Sequence, residues 1–271
     1  MRRRLVFFWY VDCDRESSPI YSLHMNLLTR YAGVFDDATF VMSLKEMDDQ
    51  HRSMAVRLAG RLVSGGYSDA RFIFEPNTGL REAKAFHEHV RPAVVNGEES
   101  LIFFGHNKGL TNTWTESLLT WICSMYYFSL ERRGEAFDAM EGHRKAAYGF
   151  PVALTSEEFK SIEIHPLNGF YYAGAVYWVN AAVSNMALRL GKADDTHPLT
   201  DRFYAEEYVG NTFDDTKCGT YANIGFWNNQ VNFYENMEQE MDAQIFDYVG
   251  DMVAKDGFWG YIGEIKAELG I

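Results

Sequence analysis

The chain has 271 residues, 47% hydrophobic and 15% aromatic, enough apolar side chain to bury a large core and too much for a disordered segment. Its formal net charge of −13 disfavours a nucleic-acid surface, because phosphate backbones are held by contiguous Lys/Arg patches. Cys13, Cys123 and Cys218 are odd in number and far apart, which fits neither a disulfide framework nor a closed zinc site and points to a reducing compartment.

The opening Met1-Arg-Arg-Arg followed by an apolar run imitates a signal peptide, but Leu5 to Val11 is short and aromatic and leads into Asp12, Asp14 and Glu16 rather than a small-residue cleavage site. It reads as the first strand. Ile20 to Ala32 follows with helical spacing, Thr39 to Leu44 is a second strand, and residues 49 to 64 carry Met54, Ala55, Leu58, Ala59, Leu62 and Val63 at helical periodicity up to Gly65-Gly66. Arg71 to Phe74 is a third strand, and a helix from about Leu80 places Ala83, Phe86, Val90 and Val94 on one face. The fourth strand, from Ser100, runs into Gly105-His-Asn-Lys-Gly109. Four strands that are apolar throughout, alternating with helices, predict an α/β fold with a mostly parallel sheet covered on both faces.

After Thr111-Asn-Thr a helix is expected with Trp114, Leu118, Trp121, Met125 and Phe128 on its face. Beyond it the alternation stops. Tyr148 to Leu154 and Gly169 to Trp178 read as strands, Asn180 to Leu190 as a helix, Lys192 to Pro198 as a polar loop, and the tail from Glu235 places Met237, Met241, Ile245, Tyr248 and Met252 on one helical face. With no repeats or flexible linkers, the expectation is one domain over 1–271: a nucleotide-binding half (1–130), an acceptor-side half (131–234) and a C-terminal helical extension (235–271). No apolar run reaches the roughly 18 residues of a membrane span, so a soluble, cytoplasmic protein is expected.

Open α/β sheets bind ligands beyond the carboxyl ends of their strands. That rim holds Asp12 and Asp14 after the first strand, Asn77 to Glu82 after the third, and His106, Asn107 and Lys108 after the fourth. Lys108 can meet a phosphate as a point charge, Arg81 can face the same anion, and Arg2 to Arg4 and Arg202 are further candidate cations. Each also has a plain structural reading: a polar strand-to-helix turn for the Gly-His-Asn-Lys-Gly loop, and a dipole-favoured first helical turn for Glu82. Farther along, Arg202-Phe-Tyr-Ala-Glu-Glu-Tyr208 offers Glu206 either as a proton acceptor in an aromatic setting or as an ion-pair partner of Arg202. The Asp-Asp pairs starting at 36, 48, 194 and 214 read as loop and cap residues. The P-loop, G-x-G-x-x-G and G-x-S-x-G fingerprints do not occur, and His87 and His89 are two apart and point to different faces, which argues against a zinc hydrolase.

The succession Asn77-Thr-Gly-Leu-Arg-Glu82, Phe-Phe-Gly-His-Asn-Lys-Gly109, a helix near Trp114, Asn168-Gly-Phe-Tyr-Tyr-Ala-Gly-Ala-Val-Tyr-Trp178 and Arg202-Phe-Tyr-Ala-Glu206 resembles a bacterial GT-A-like glycosyltransferase family of surface-polysaccharide biosynthesis, over roughly residues 70 to 215. The resemblance implies a nucleotide-diphospho-sugar transferase fold, a nucleotide-sugar donor and a glycan acceptor. It implies that Val11 and Asp12 lie near the donor base, that His106 and Lys108 stand where metal-dependent relatives carry Asp-x-Asp, that Gly174 to Trp178, with Tyr177, line the acceptor side together with Arg202, and that Glu206 is the base. This sequence departs from the family pattern at Asn107, at Ala175-Val176-Tyr177 and at Tyr208. Without Asp-x-Asp at that loop the usual sign of Mn²⁺ or Mg²⁺ is missing and the cofactor is left unassigned. A non-catalytic sugar-nucleotide or glycan-binding scaffold of the same fold, and a nucleotidyl or phosphosugar transferase, remain as alternative readings.

Overall fold

The structure, a computed structural model, describes the chain except for residues 108, 150, 151, 155–169, 173, 174, 197, 198, 200–202, 214–217, 220–256 and 271. Its first half is a regular alternation: β1 (Arg2–Val11), α1 (Pro19–Arg30), β2 (Asp37–Leu44), α2 (Asp49–Ser64), β3 (Arg71–Pro76), α3 (Arg81–His89), α4 (Arg91–Asn96) and β4 (Ser100–His106). The helices begin where short polar side chains can take orphan N–H groups. Ser18 accepts from Ile20 ahead of α1, and Asp48 accepts from the His51 N–H at 2.8 Å ahead of α2. The helix expected from Leu80 is two helices, divided at Val90 just before Arg91-Pro92, but Ala83, Phe86, Val90 and Val94 are all buried as expected.

The second half contains α5 (Glu116–Tyr126), α6 (Arg133–Phe137), β5 (Ala147–Gly149), β6 (Val152–Leu154), β7 (Phe170–Tyr172), β8 (Tyr177–Asn180), α7 (Ala181–Arg189), α8 (Tyr204–Thr212), β9 (Cys218–Gly219) and α9 (Phe258–Leu269). Thr115 caps α5 by accepting from the Leu118 N–H, so Trp114 lies just before the helix rather than on it. The run Tyr148 to Leu154 is two strands in different sheets. Gly169 to Trp178 also divides: Phe170–Tyr172 pairs with β6 in a two-stranded sheet, whereas Tyr177–Asn180 enters the main sheet. Ala175, at φ 49°, turns the chain between them in the left-handed region that L residues rarely adopt. The methionine face expected over 237 to 252 lies outside the described residues. The last helix, α9, docks onto α1, where Tyr31 and Tyr261 hydroxyls meet at 3.1 Å and Arg30 pairs with Glu264 at 2.7 Å.

Among the described residues the main sheet has seven strands, in the order β3-β2-β1-β4-β8-β5-β9. Strands β1 to β4 are mutually parallel, β8 runs antiparallel to both β4 and β5, and β9 is parallel to β5. Alternation along the strands sends side chains into two cores. Leu5, Phe7, Trp9 and Val11, with Phe103 and Trp178, pack against α1, α2, α5 and α9. Val6 and Phe8, with Ile102, Phe104 and Tyr177, pack against α3, α4, α7 and α8. Every residue of β4 is buried, as expected for a central strand covered on both faces. The α/β fold with a mostly parallel, doubly covered sheet and a mixed second half is therefore the observed architecture. Among the described residues no helix is long and apolar enough to cross a membrane.

Candidate functional site

The chain proceeds from β1 outward to β2 and β3, then returns to place β4 on the other side of β1. That reversal makes the carboxyl ends of β1 and β4 a topological switch point, where neighbouring loops part and leave a crevice. Phe8 pairs with His106 in the ladder, so the residues after them, Tyr10 to Asp14 on one side and His106 and Asn107 on the other, form the crevice edges.

Asn107 continues the ladder with its side chain. Its main-chain N–H donates to Phe8 O at 3.3 Å, its Oδ1 accepts from the Tyr10 N–H at 2.9 Å, and its Nδ2 donates to Tyr10 O at 2.9 Å. The amide thus serves as a surrogate strand residue. Both of its ends are engaged on Tyr10, and it is buried. Gly109 follows at φ 84°, a conformation that favours glycine, and a Cβ there would also push the Leu118 side chain aside, meeting its Cδ1 at 2.7 Å. Lys108, between them, lies outside the described residues.

On the β1 side, the Tyr21 hydroxyl donates to Tyr10 O at 2.9 Å and accepts from the Asp12 N–H at 2.8 Å, tying α1 to the strand end. Asp12 is buried and caps a short turn by accepting from the Asp14 N–H. Lys45, the first residue after β2, bridges Asp12 at 3.2 Å and Asp14 at 2.6 Å. The Asp14 hydrogen bond, then that of Asp12, holds the Lys45 ammonium charged well above its usual pKa, and Lys45 in turn lowers that of Asp14. Burial, and then the Asp12 carboxylate, raises the Tyr10 hydroxyl, while Lys45 and Arg81 oppose that shift. Val11 is fully buried in the α1/α2 core and meets the rim only through its carbonyl, which accepts from the Lys45 N–H at 2.9 Å.

On the β4 side, His106 turns toward α3, where its Nδ1 lies 3.8 Å from Glu82 Oε1, and both residues are buried. Glu82 does occupy the first turn of α3, as its cap reading implied, yet it also faces the crevice histidine. Arg81 precedes it at φ 47°, a non-glycine residue in the left-handed region. Strained backbone of this kind costs about 1–3 kcal/mol and concentrates at functional sites.

Glu206 is on the first turn of α8, the helix that packs on α3 through Phe86 and Tyr208, whose ring centroids are 4.7 Å apart. It therefore shares a face of the sheet with His106 and Glu82, and it is only 5% exposed. Tyr177 donates to Ala205 O at 2.6 Å, and Trp178 Nε1 donates to Ser129 O at 2.7 Å. Both rings are fully buried, in opposite cores. Gly174 and Arg202 lie outside the described residues. Arg2 and Arg4 pair with Asp37, and Arg4 also with Glu98, at the opposite end of the sheet from the crevice, which removes them as ligand cations. Sequence reasoning missed Tyr10, Tyr21 and Lys45. The signal for Tyr10 was its place near the end of β1, and for Lys45 its place directly after β2. Among the described residues no group of three or more His, Cys, Asp or Glu side chains could hold a metal ion, and the Asp12/Asp14 pair is engaged by Lys45.

No protein-family model matches the chain, and no curated protein matches it significantly. Among solved structures it is similar to a protein from Desulfovibrio desulfuricans G20 provisionally described as a nucleotide-diphospho-sugar transferase, with a TM-score of 0.38 and 10% sequence identity over 92% of this chain and 99% of that one. A likeness of that size carries no weight for fold or chemistry. Those rest on the strand order and on the residues at the crevice.

Proposed function

We propose that the protein is a glycosyltransferase of GT-A-like fold that moves a sugar from a nucleoside diphosphate donor to a hydroxyl of a glycan or related acceptor. What supports the reading is the β1/β4 switch point, the place where open α/β sheets take their ligands: Asp12 follows β1, and His106 ends β4 with its Nδ1 3.8 Å from Glu82, next to Arg81. Transfer requires stabilisation of the departing diphosphate and removal of the acceptor proton. In this reading Arg81, His106 and Lys108 face the diphosphate, Asp12 and Lys45 flank the nucleoside, Gly174 and Arg202 belong to the acceptor side, and Glu206 accepts the proton. The protein would act in the cytoplasm on surface polysaccharide.

The near-complete burial of Glu206 favours a second reading, in which the same crevice binds a sugar nucleotide without turning it over. Thermal stabilisation by a panel of nucleoside diphosphates, each with and without Mn²⁺ or Mg²⁺, tests the site. Arg81→Gly should relieve backbone strain and leave the fold intact while abolishing a diphosphate-specific shift. The donor-site reading fails if no nucleotide shifts the wild type, or if Arg81→Gly and Lys108→Ala respond as the wild type does. Slow hydrolysis of donor without acceptor, lost in Glu206→Gln with binding preserved, separates the enzyme from the binding module.

A further inference from the structure

We propose that two copies of the chain associate through the free edge of β3, back to back about a twofold axis, to make one continuous sheet. Strand β3 pairs with β2 on one side and, among the described residues, meets no strand on the other. Asn77 N–H donates inward to Leu44 O, and because successive residues of a strand direct their backbone groups to opposite sides, Phe72 and Phe74 turn theirs outward.

The sequence of this edge is complementary to itself read backwards. In Arg71-Phe-Ile-Phe-Glu75, antiparallel pairing centred on Ile73 sets Arg71 opposite Glu75 of the second copy and Phe72 opposite Phe74, with Ile73 on the axis. That register also makes Phe72 and Phe74 the hydrogen-bonded pair, so the outward N–H and C=O groups of both strands meet four times. The ladder stops there. Pro76 has no N–H, and the Ala70 N–H is already given to Tyr67 O.

The side chains agree with the backbone. Phe72 stacks on Phe40 in the core under α2, and Phe74, two residues on and on that same face, is 42% exposed. Above it, α2 leaves Val56 and Val63 exposed two turns apart, on the flank turned away from Arg57, whose guanidinium reaches back to Glu16 before α1. Three of the eight large hydrophobic residues exposed among the described residues thus lie on β3 and on the helix that leads into it. On the other face Glu75 already holds Lys84 at 2.5 Å, and an arginine from a second copy would complete a cluster of alternating charge. Self-complementary charge and register specify a second copy of this chain as the occupant, rather than an unrelated strand.

Sedimentation velocity over a concentration series is the test, since it reads association independently of any ligand or activity. The wild type should show a reversible dimer. Arg71→Glu sets two acidic side chains against each other across the axis, Glu75→Arg sets two arginines, and Phe74→Lys buries a charge in the seam; each should shift the protein to monomer with unchanged far-UV circular dichroism. Mixing the Arg71→Glu and Glu75→Arg proteins should restore a heterodimer, because every opposed pair is then opposite in sign. A wild type that stays monomeric at every concentration overturns the proposal, as does a dimer that survives both Arg71→Glu and Phe74→Lys, or charge variants that fail to associate when mixed.

Discussion

Replacing Asn107 by alanine should destabilise the protein even though the residue lies in a loop after the last position of β4. The side chain makes two hydrogen bonds to the Tyr10 backbone, and their fates differ. The Tyr10 carbonyl keeps a second donor, the Tyr21 hydroxyl at 2.9 Å, so losing Nδ2 costs only the net worth of a hydrogen bond, about 1 kcal/mol. The Tyr10 N–H loses its acceptor and is left without a partner, about 1–3 kcal/mol. The sum is about 3 kcal/mol. With a urea dependence of about 3 kcal/mol/M, the midpoint should fall by roughly 1 M, and the Tyr10 amide should lose hydrogen-exchange protection first. Asn107→Asp should not rescue at neutral pH, because its second oxygen would face the Tyr10 carbonyl, but should recover at low pH, where a protonated carboxyl regains the donor. If Asn107→Ala unfolds within about 0.5 kcal/mol of wild type and instead loses nucleotide binding, the surrogate-strand account is wrong and the amide serves a ligand.

Trp178→Phe keeps most of the ring in the core but removes the hydrogen bond to the Ser129 carbonyl, and should cost about 1 kcal/mol in equilibrium unfolding; a neutral result would mean that the 2.7 Å bond contributes nothing. Asp48 caps α2, and the His51 backbone N–H, then its ring, holds the carboxyl below the usual aspartate range. Its contribution is therefore fully present above the unfolded-state pKa and is lost as pH falls through the lower folded value; Asp48→Asn should keep the cap and remove that part of the acid dependence, seen in urea midpoints across acidic pH. The Cys123 thiol is pushed up to about 12 by burial, so a thiol reagent should label it only under denaturing conditions, and labelling of the native protein at Cys123 would contradict its packing.

The parallel half of the sheet was legible because its strands are covered on both faces and so are apolar throughout, separated by helices with caps and glycine stops that are local signals. The second half was harder for a physical reason. Ala175 breaks an aromatic run in a conformation that sequence associates with glycine, so one apparent strand became two in different sheets. At the crevice, position was legible and use was not. Asn107 stood out as a rim residue, but its partner is 97 residues away, and nothing local distinguishes an amide that faces a ligand from one that completes a ladder. For Tyr177 and Trp178 the sequence indicated a strand, and only the family resemblance implied a place beside an acceptor; β8 is enclosed by β4, β5 and helices on both faces, a depth that no local pattern reveals.

The insertion of β8 between β4 and β5 also orders the birth of the molecule. Once β4 has been synthesised, β3, β2, β1 and β4 can zip from neighbouring segments, but the outer edge of β4 then waits for Tyr177–Asn180, about 70 residues later. At about 5–20 residues per second that interval is roughly 4–14 s. During it a strand that is buried along its whole length in the finished fold would offer an unpaired row of N–H and C=O groups to any passing β-segment. A slow stretch of translation between residues 106 and 177 would therefore lower the yield of native protein, and chaperone capture should be strongest on nascent chains that end there.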